Sequence, residues 1–382
     1  TPVTKNFTIN KEQAKVITVP EAAGRPLTFN TFPQRLVTAG AASGGTMVYR
    51  VGDTGDFGEG IPEETNAGIY KVYYKVQGDA NHSDSDVCST PVTVTIIPKT
   101  VKDPTIKLSE GDAPVGSGTY TYNGSEKKPD VQVIDGDVLI DPSEYTVAYI
   151  DNTDAGVATV EITDDPNGNY IVTGSTTFRI NKADIADPKP QPATLTYDGT
   201  AHELLLPGIT TGGTVQYALN SATSTFYDAI PTGVNAGTYN VYYKVTGDKN
   251  HNDLAVQGPV KVEIQRKPLT APTIELTPDL FRYDGTAHLP TVTVKDGDTV
   301  LPASEYSWKC SKNGSTDEIP APTLGGDYTI TISDKTGGNY DLTGAATANK
   351  NTATFTIGKA AQAELVIEGK PEHVYYGDSF QL

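Results

Sequence analysis

Cysteine is nearly missing from this chain: Cys88 and Cys310 are the two in 382 residues. They stand 222 positions apart in sequence, so no disulfide framework staples the fold and apolar packing must hold it. Methionine and tryptophan occur once each. No stretch repeats apolar residues at helical spacing, which excludes a helical bundle. No apolar run reaches membrane-spanning length, so direct membrane insertion of this segment is not expected. The chain opens with neither an initiator Met nor a signal peptide. Basic residues are outnumbered 29 to 47 by acidic ones, for a net charge of −18. Such a surface repels phosphate backbones and anionic membranes, so nucleic acid is excluded as a partner.

What the chain does have is tyrosine (21), glycine (37) and proline (26), with threonine and valine throughout. That mixture favours strands and turns. It also repeats itself. Residues 66–84 read NAGIYKVYYKVQGDANHSD and residues 235–253 read NAGTYNVYYKVTGDKNHND, at an offset of 169. Self-similarity at a fixed period is read as an array.

Two kinds of repeat alternate. The A type covers 16–99 and 184–267; it runs from an apolar-aromatic strand through GGT and NAGxY strands to PVTVTII or PVKVEIQ. The B type covers 100–183 and 268–360. It opens with TIKLSEG or TIELTPD and closes with TFRINK or TFTIGK. Residues 4–11, TKNFTINK, match those closing strands, so 1–15 reads as the end of a preceding repeat. Residues 361–382 read as the start of a following one. The linkers PKTVKDP, ADPKPQP and RKPLTAP are Pro-rich, which limits bending.

Within TYNVYYKV, Tyr239, Val241, Tyr243 and Val245 share one face, and Asn240, Tyr242 and Lys244 the other. One buried and one wet face is the pattern of an antiparallel sheet packed on a second sheet. The expected fold is all-β: tandem immunoglobulin-like β-sandwiches in an elongated array. The alternative is a β-grasp-like repeat, which needs a helix across the sheet.

The turns Tyr122-Asn123-Gly124, Tyr197-Asp198-Gly199 and Tyr283-Asp284-Gly285 carry a resemblance. So do the A/G-G-x-Y strands and the GNY turns at Asn169-Tyr170 and Asn339-Tyr340. Together they resemble the MBG/YDG-type, immunoglobulin-like tandem repeats of bacterial surface proteins, over almost the whole chain. FNT at 29–31 departs from the YDG pattern. The resemblance implies a non-catalytic stalk of a cell-surface adhesin-like protein, and it carries over no site residues.

Candidate chemistry is sparse. Tyr70 and Tyr239 stand where Ig-like domains brace a sheet corner through a hydroxyl. The loops 78–86 and 247–253 offer Asp79, Asn81, Asp84 and Asp86, and Asp248, Asn250 and Asp253, as oxygen ligands for Ca²⁺. They lack EF-hand spacing and a bidentate Glu, and turns favour the same residues. Otherwise no cofactor is expected. The five histidines are scattered, with no metal-binding pair. No GxSxG, phosphate-cradling loop or HExxH motif is present, so no catalytic residue is assigned. Lys75 and Lys244 lie on the wet face, which argues against internal isopeptide bonds.

The repeat is broken once. The second B-type stretch is nine residues longer between its YxG and GNY turns, within 308–326. That stretch holds Trp308 and Lys312, candidates for binding a glycan or host matrix protein. Trp308 aligns with Val147, which also allows a core position. Tyr73 and Tyr242, on the wet face, either form a stacking platform or pack on a neighbouring repeat. The expected function is a monomeric, extracellular spacer on a bacterial surface. The alternatives are an adhesin module binding glycan or host protein, and an accessory region of a secreted glycan-degrading enzyme.

Overall fold

The computed structural model describes residues 2–24, 26–116 and 119–360. The stretch 361–382, expected to open a further repeat, lies outside the described residues. The chain forms two compact units. One runs to Asp184 and takes in Asp248–Asn252; the other holds Ile185–Gly247 and the described residues from Asp253 onward.

One four-stranded sheet recurs twice in each unit. In the first unit it is built of Leu27–Thr28, Val92–Ile97, Gly68–Gly78 and Gly45–Val51, in that spatial order. It recurs as Tyr120–Thr121, Thr173–Asn181, Gly156–Asp164 and Tyr145–Ile150. In the second unit it is Leu195–Thr196, Leu254–Gln265, Gly237–Gly247 and Gly213–Leu219, then Leu280–Arg282, Thr352–Gly358, Gly326–Asp334 and Tyr306–Lys312. The short first strand always runs parallel to the closing strand, and the other pairings are antiparallel. A short strand switching to pair in parallel with the last one is an immunoglobulin-like feature.

Facing sheets complete the sandwiches. In the B-type stretches they are Thr105–Glu110 with Asp130–Asp135, and Thr273–Thr277 with Thr291–Asp296. In the A-type stretches they are broken into two-stranded ladders such as Lys15–Thr18 with Ala41–Ser43. The fold is thus all-β and immunoglobulin-like. A β-grasp repeat has no counterpart: the α-helix among the described residues is Thr343–Thr347, five residues long.

Alternation does the folding work. Val72, Val76, Val94 and Ile96 are buried while Lys71, Gln77 and Thr93 are exposed. Each fully buried Val or Ile contributes about 1.5–3 kcal/mol over leaving it in water. In the first unit one apolar cluster runs from Ala14 and Phe29 through to Phe178 and Ile180. In the second unit the buried residues form three clusters. The sheet corner forms as expected: Tyr70 Oη donates to Asn66 O and Tyr239 Oη to Asn235 O, both at 2.8 Å.

The linkers are stiffer than proline alone makes them. Lys99–Thr100 pairs in parallel with Tyr170–Ile171, and Lys267–Pro268 with Tyr340–Asp341. Hydrogen bonds, not only fixed φ angles, hold these two segments.

Candidate functional site: an Asn–aromatic joint

Glu144 ends a single 3₁₀ turn, Pro142–Glu144, that the Asp141 side chain caps through Ser143 N. Its carboxylate accepts from Asn169 N at 2.5 Å and from Asn169 Nδ2 at 2.8 Å. A Cβ on Gly168 would stand 2.6 Å from Glu144 Oε2 and 3.1 Å from Asp165 O, so a side chain there would have to push the carboxylate aside. With Nδ2 committed to a carboxylate, Asn169 Oδ1 faces the other way. It accepts from Ala67 N at 2.7 Å, 102 positions earlier.

The next residue adds a ring. Tyr170 is buried and meets Phe29 edge-on, with centroids 5.2 Å apart. Such aromatic pairs contribute about 0.5–1.5 kcal/mol beyond area burial. Lys99 N donates to Asn169 O at 2.9 Å, and Lys99 Nζ stands 2.5 Å from Asp135. The Asp135 carboxylate holds the Lys99 ammonium above the ordinary lysine range.

The second unit repeats this joint. Asn339 N and Nδ2 donate to Glu305 at 2.6 and 3.0 Å, and Ala236 N donates to Asn339 Oδ1 at 2.7 Å. Tyr340 meets Tyr197 edge-on at 5.5 Å. Lys267 N donates to Asn339 O at 2.8 Å, and Lys267 Nζ pairs with Asp296 at 2.6 Å.

A third instance lies in the first unit. Asn250 Oδ1 accepts from Ala155 N at 2.9 Å, its Nδ2 donates to Asp154 Oδ1 at 2.9 Å, and His251 meets Tyr122 edge-on at 5.3 Å. Asp154 here takes the Nδ2 bond that Glu144 and Glu305 accept, while Asn250 N donates to Asp248. The common element is Asn followed by an aromatic ring. The Asn grips the N–H of the Ala in an Ala-Gly pair; the ring seats on the aromatic residue of a YxG or FNT turn. The glycine after the alanine takes φ +151° at Gly156 and +145° at Gly237, where side-chain residues are strained. Phe29 of FNT does for the first joint what Tyr197 of YDG does for the second.

Of the residues read as Ca²⁺ ligands, Asp79, Asp84, Asp248 and Asp253 accept hydrogen bonds within their own loops. Asp79 Oδ1 takes Asn81 N at 2.8 Å and His82 Nδ1 at 2.7 Å; Asp248 Oδ1 takes Asn250 N and His251 Nδ1 at the same distances. Asp84 is bound by Gly78 N at 3.0 Å and Lys75 Nζ at 2.7 Å, and Asp253 by Gly247 N at 2.8 Å. Asp86 stands exposed. Among the described residues no group of three His, Cys, Asp or Glu gathers as for a metal.

The other candidates are scattered. Tyr73 is not an open platform: Oη donates to Asp53 at 2.5 Å and the Arg50 guanidinium lies 5.1 Å from its ring. Tyr242 is half-buried opposite Ala218, and neighbouring Lys244 covers Phe226. Trp308 does hold the strand position of Val147, opposite Ile332 as Val147 is opposite Ile162. It is 41% exposed there, so the core position is corrected to a surface one. Lys312, four positions on, is also exposed. Part of the insertion is structural: Ile319 N donates to Cys310 O at 2.7 Å, and Ile319 packs on the buried cluster around Cys310. Both cysteines are free.

One site escaped the sequence reading. Tyr217, Leu219, Tyr227, Ile230 and Pro231 line an open groove of about 510 Å³ in the second unit. Tyr227 is 65% exposed, where the first A-type stretch has Gly58 in the same bridge.

No protein-family profile matches the chain, and no curated protein matches it. Solved structures with likeness include Sidekick-1 immunoglobulin domains 1–5, at 9% identity and TM-score 0.24, covering 92% of this chain and 99% of that one. The Protocadherin gammaB7 EC3-6 cis-dimer gives 12% identity and TM-score 0.22, over 92% and 100%. SGBP-B of the Bacteroides ovatus mixed-linkage glucan utilization locus, in complex with a mixed-linkage heptasaccharide, gives 10% and 0.18, over 92% and 98%. These scores are low, and the fold assignment rests on the sheet order of the chain itself.

Proposed function

We propose that this chain is a non-catalytic spacer segment of a bacterial cell-surface protein, built from four repeats at 16–99, 100–183, 184–267 and 268–360. Its role is to hold a binding region away from the cell. The observation that supports this reading is the Asn–aromatic joint, made three times among the described residues with an Ala N–H as donor, an Asn Oδ1 as acceptor and an edge-on aromatic pair beside them. A joint reinforced by hydrogen bonds, a ring pair and a laddered linker resists bending, which is what a spacer requires. A surface of net charge −18 keeps such a segment soluble and without nucleic-acid partners. No helix among the described residues is long and apolar enough to cross a membrane. Small-angle scattering tests the reading. A compact globule of this length has a radius of gyration of about 21 Å; a spacer gives a clearly larger one, and a value near that limit sinks it.

A second reading, glycan binding, is favoured by the uncharged groove around Tyr217 and Tyr227. An exposed tyrosine face beside the hydroxyls of Ser224, Thr225 and Thr232 suits a neutral sugar ring. A glycan array with the parent chain and Tyr227→Ala tests it. Binding that survives the substitution removes the groove from consideration.

A further inference from the structure

The four-stranded sheet of each sandwich ends in one long edge strand: Gly45–Val51, Tyr145–Ile150, Gly213–Leu219 and Tyr306–Lys312. Three of these edges are closed by the chain that follows them. Tyr49 and Gly58 exchange N–H to O bonds of 2.8 and 2.9 Å, and Tyr217 and Tyr227 do so at 2.7 and 2.9 Å. In the insertion, Ile319 N donates to Cys310 O and Glu318 bridges Ser311. Among the described residues, Tyr145–Ile150 has no such cover. Residues 151–155 lead straight into Gly156–Asp164, too few to turn back along the edge.

The register shows which groups are left open. Asp165 N donates to Glu144 O at 2.9 Å, next to the pairing of Tyr145 with Asp164. Antiparallel ladders alternate, so Thr146, Ala148 and Ile150 bond the neighbouring strand, while Tyr145, Val147 and Tyr149 turn their N–H and C=O outward. Among the described residues no backbone group meets these three from the open side. Tyr149 holds the strand position of Cys310, whose carbonyl Ile319 takes. The strand YTVAYI carries no charge and no proline, the devices that keep native edges from pairing.

The charge beside the edge selects what fits it. In the A-type stretches a lysine on the second strand holds the Phe of the cover. Lys75, opposite Val48, lies 5.3 Å from the Phe57 ring, and Lys244, opposite Gln216, lies 5.0 Å from that of Phe226. The equivalent position here is Glu161, opposite Ala148 and exposed. Exposed Asp141 and Asp151 flank the strand. Lys128, near the Tyr149 hydroxyl, is paired with Glu126 at 2.6 Å.

We propose that Tyr145–Ile150 is a docking edge for an extended, basic segment of another protein, which adds to this sheet as a fifth strand. Main-chain bonds to Val147 and Tyr149 supply affinity. Alternate residues of the segment are apolar, beside those two side chains; the residues between them are Lys or Arg, on the face of Glu161. A second copy of this chain would bring the same carboxylates and a net charge of −18, so complementarity favours the basic partner.

The probe is a labelled peptide, acetyl-Thr-Lys-Val-Lys-Val-Lys-Thr-amide, titrated against the full chain by anisotropy beside the same peptide with Glu for each Lys. Saturable binding is expected, roughly tenfold tighter for the Lys peptide, with slowed amide exchange at Val147 and Tyr149. Val147→Pro removes an outward N–H and spares the ladder to Gly156–Asp164, as proline does on edge strands; it is expected to weaken binding roughly tenfold. Glu161→Lys is expected to reverse the preference between the two peptides. Binding that survives either substitution unchanged, or that leaves exchange at Val147 and Tyr149 unchanged, is adhesion to an acidic surface and overturns the proposal. Absence of saturable binding does so too. A dimer of the parent in sedimentation that Val147→Pro abolishes also overturns it, because a second copy then holds the edge. If Val147→Pro unfolds, exchange in the parent and the Glu161→Lys reversal decide.

Discussion

Asn169 Oδ1 accepts a hydrogen bond from Ala67 N at 2.7 Å, while Asn169 N and Nδ2 hold both oxygens of Glu144. One side chain thus joins strand Gly68–Gly78 of one sandwich to the 3₁₀ turn of the next.

Removing that side chain strands its partners. Asn169→Ala leaves the Ala67 N–H and one oxygen of Glu144 without their partners. Each unmade bond of a sheltered group costs about 1–3 kcal/mol. The expected result is a lower urea midpoint for the first unit, its stability falling by roughly 2–6 kcal/mol in total, with the second unit unmoved. Asn339→Ala reverses the pattern. Amide exchange at Ala67 separates this from a general loosening: it accelerates in Asn169→Ala and stays at the parent rate in Asn339→Ala. Unchanged exchange in both variants means that the joint carries no weight.

The ring is the second half of the joint. Tyr340→Ala empties the seat on Tyr197 and is expected to cost about 3–5 kcal/mol, as for other large core truncations. Tyr239→Phe, by contrast, removes only the corner bond to Asn235 O. It is expected to cost about 0.5–1.5 kcal/mol. Equal costs in calorimetry would contradict the assignment of joint and corner.

Asp198 and Asp284 sit in equivalent turns, each held at a pKa of about 2. For Asp198 the main cause is the Thr200 backbone N–H; for Asp284 it is the Thr286 hydroxyl. Both pKa values lie below the ordinary value of about 3.9. Their stabilisation is therefore present above about pH 4 and fades as pH falls through about 2. Carboxyl NMR titration is expected to show Thr286→Val raising the Asp284 midpoint more than Thr200→Val raises that of Asp198. The opposite order excludes this division of causes.

The two free cysteines differ in access. Cys310 is buried, and burial pushes its thiol above the ordinary range; Cys88 is half-buried, with Sγ accepting from Tyr74 N at 3.3 Å. Ellman's reagent is expected to label Cys88 first and Cys310 only as fast as its sandwich opens. Prompt labelling of both would refute the burial of Cys310.

Strand period was legible because alternation is local: Val241 and Val245, like Val72 and Val76, announce their face without long-range information. The joint was not. Its residues were visible but split between two meanings, GNY as a turn signature and DANH or DKNH as an acidic loop. Only the fold shows that Asn169, Asn250 and Asn339 meet the same kind of N–H about a hundred residues earlier. Trp308 was placed correctly on its strand, and its register with Tyr306 and Cys310 did not foretell that it is 41% exposed where those two are buried. That Tyr73 is met by Arg50 and Asp53 could not be read from its own strand, since they lie 20 or more positions earlier.

The gripping asparagine and the gripped alanine of a joint always lie in unlike repeats. A gene that gains or loses one A–B pair therefore brings or removes matched halves, and the surviving neighbours meet residues of the kind they had before. Each kind of stretch carries both halves: Ala155 and Asn169 lie in 100–183, Ala236 and Asn250 in 184–267. Length in such a chain can therefore change without new residues having to arise.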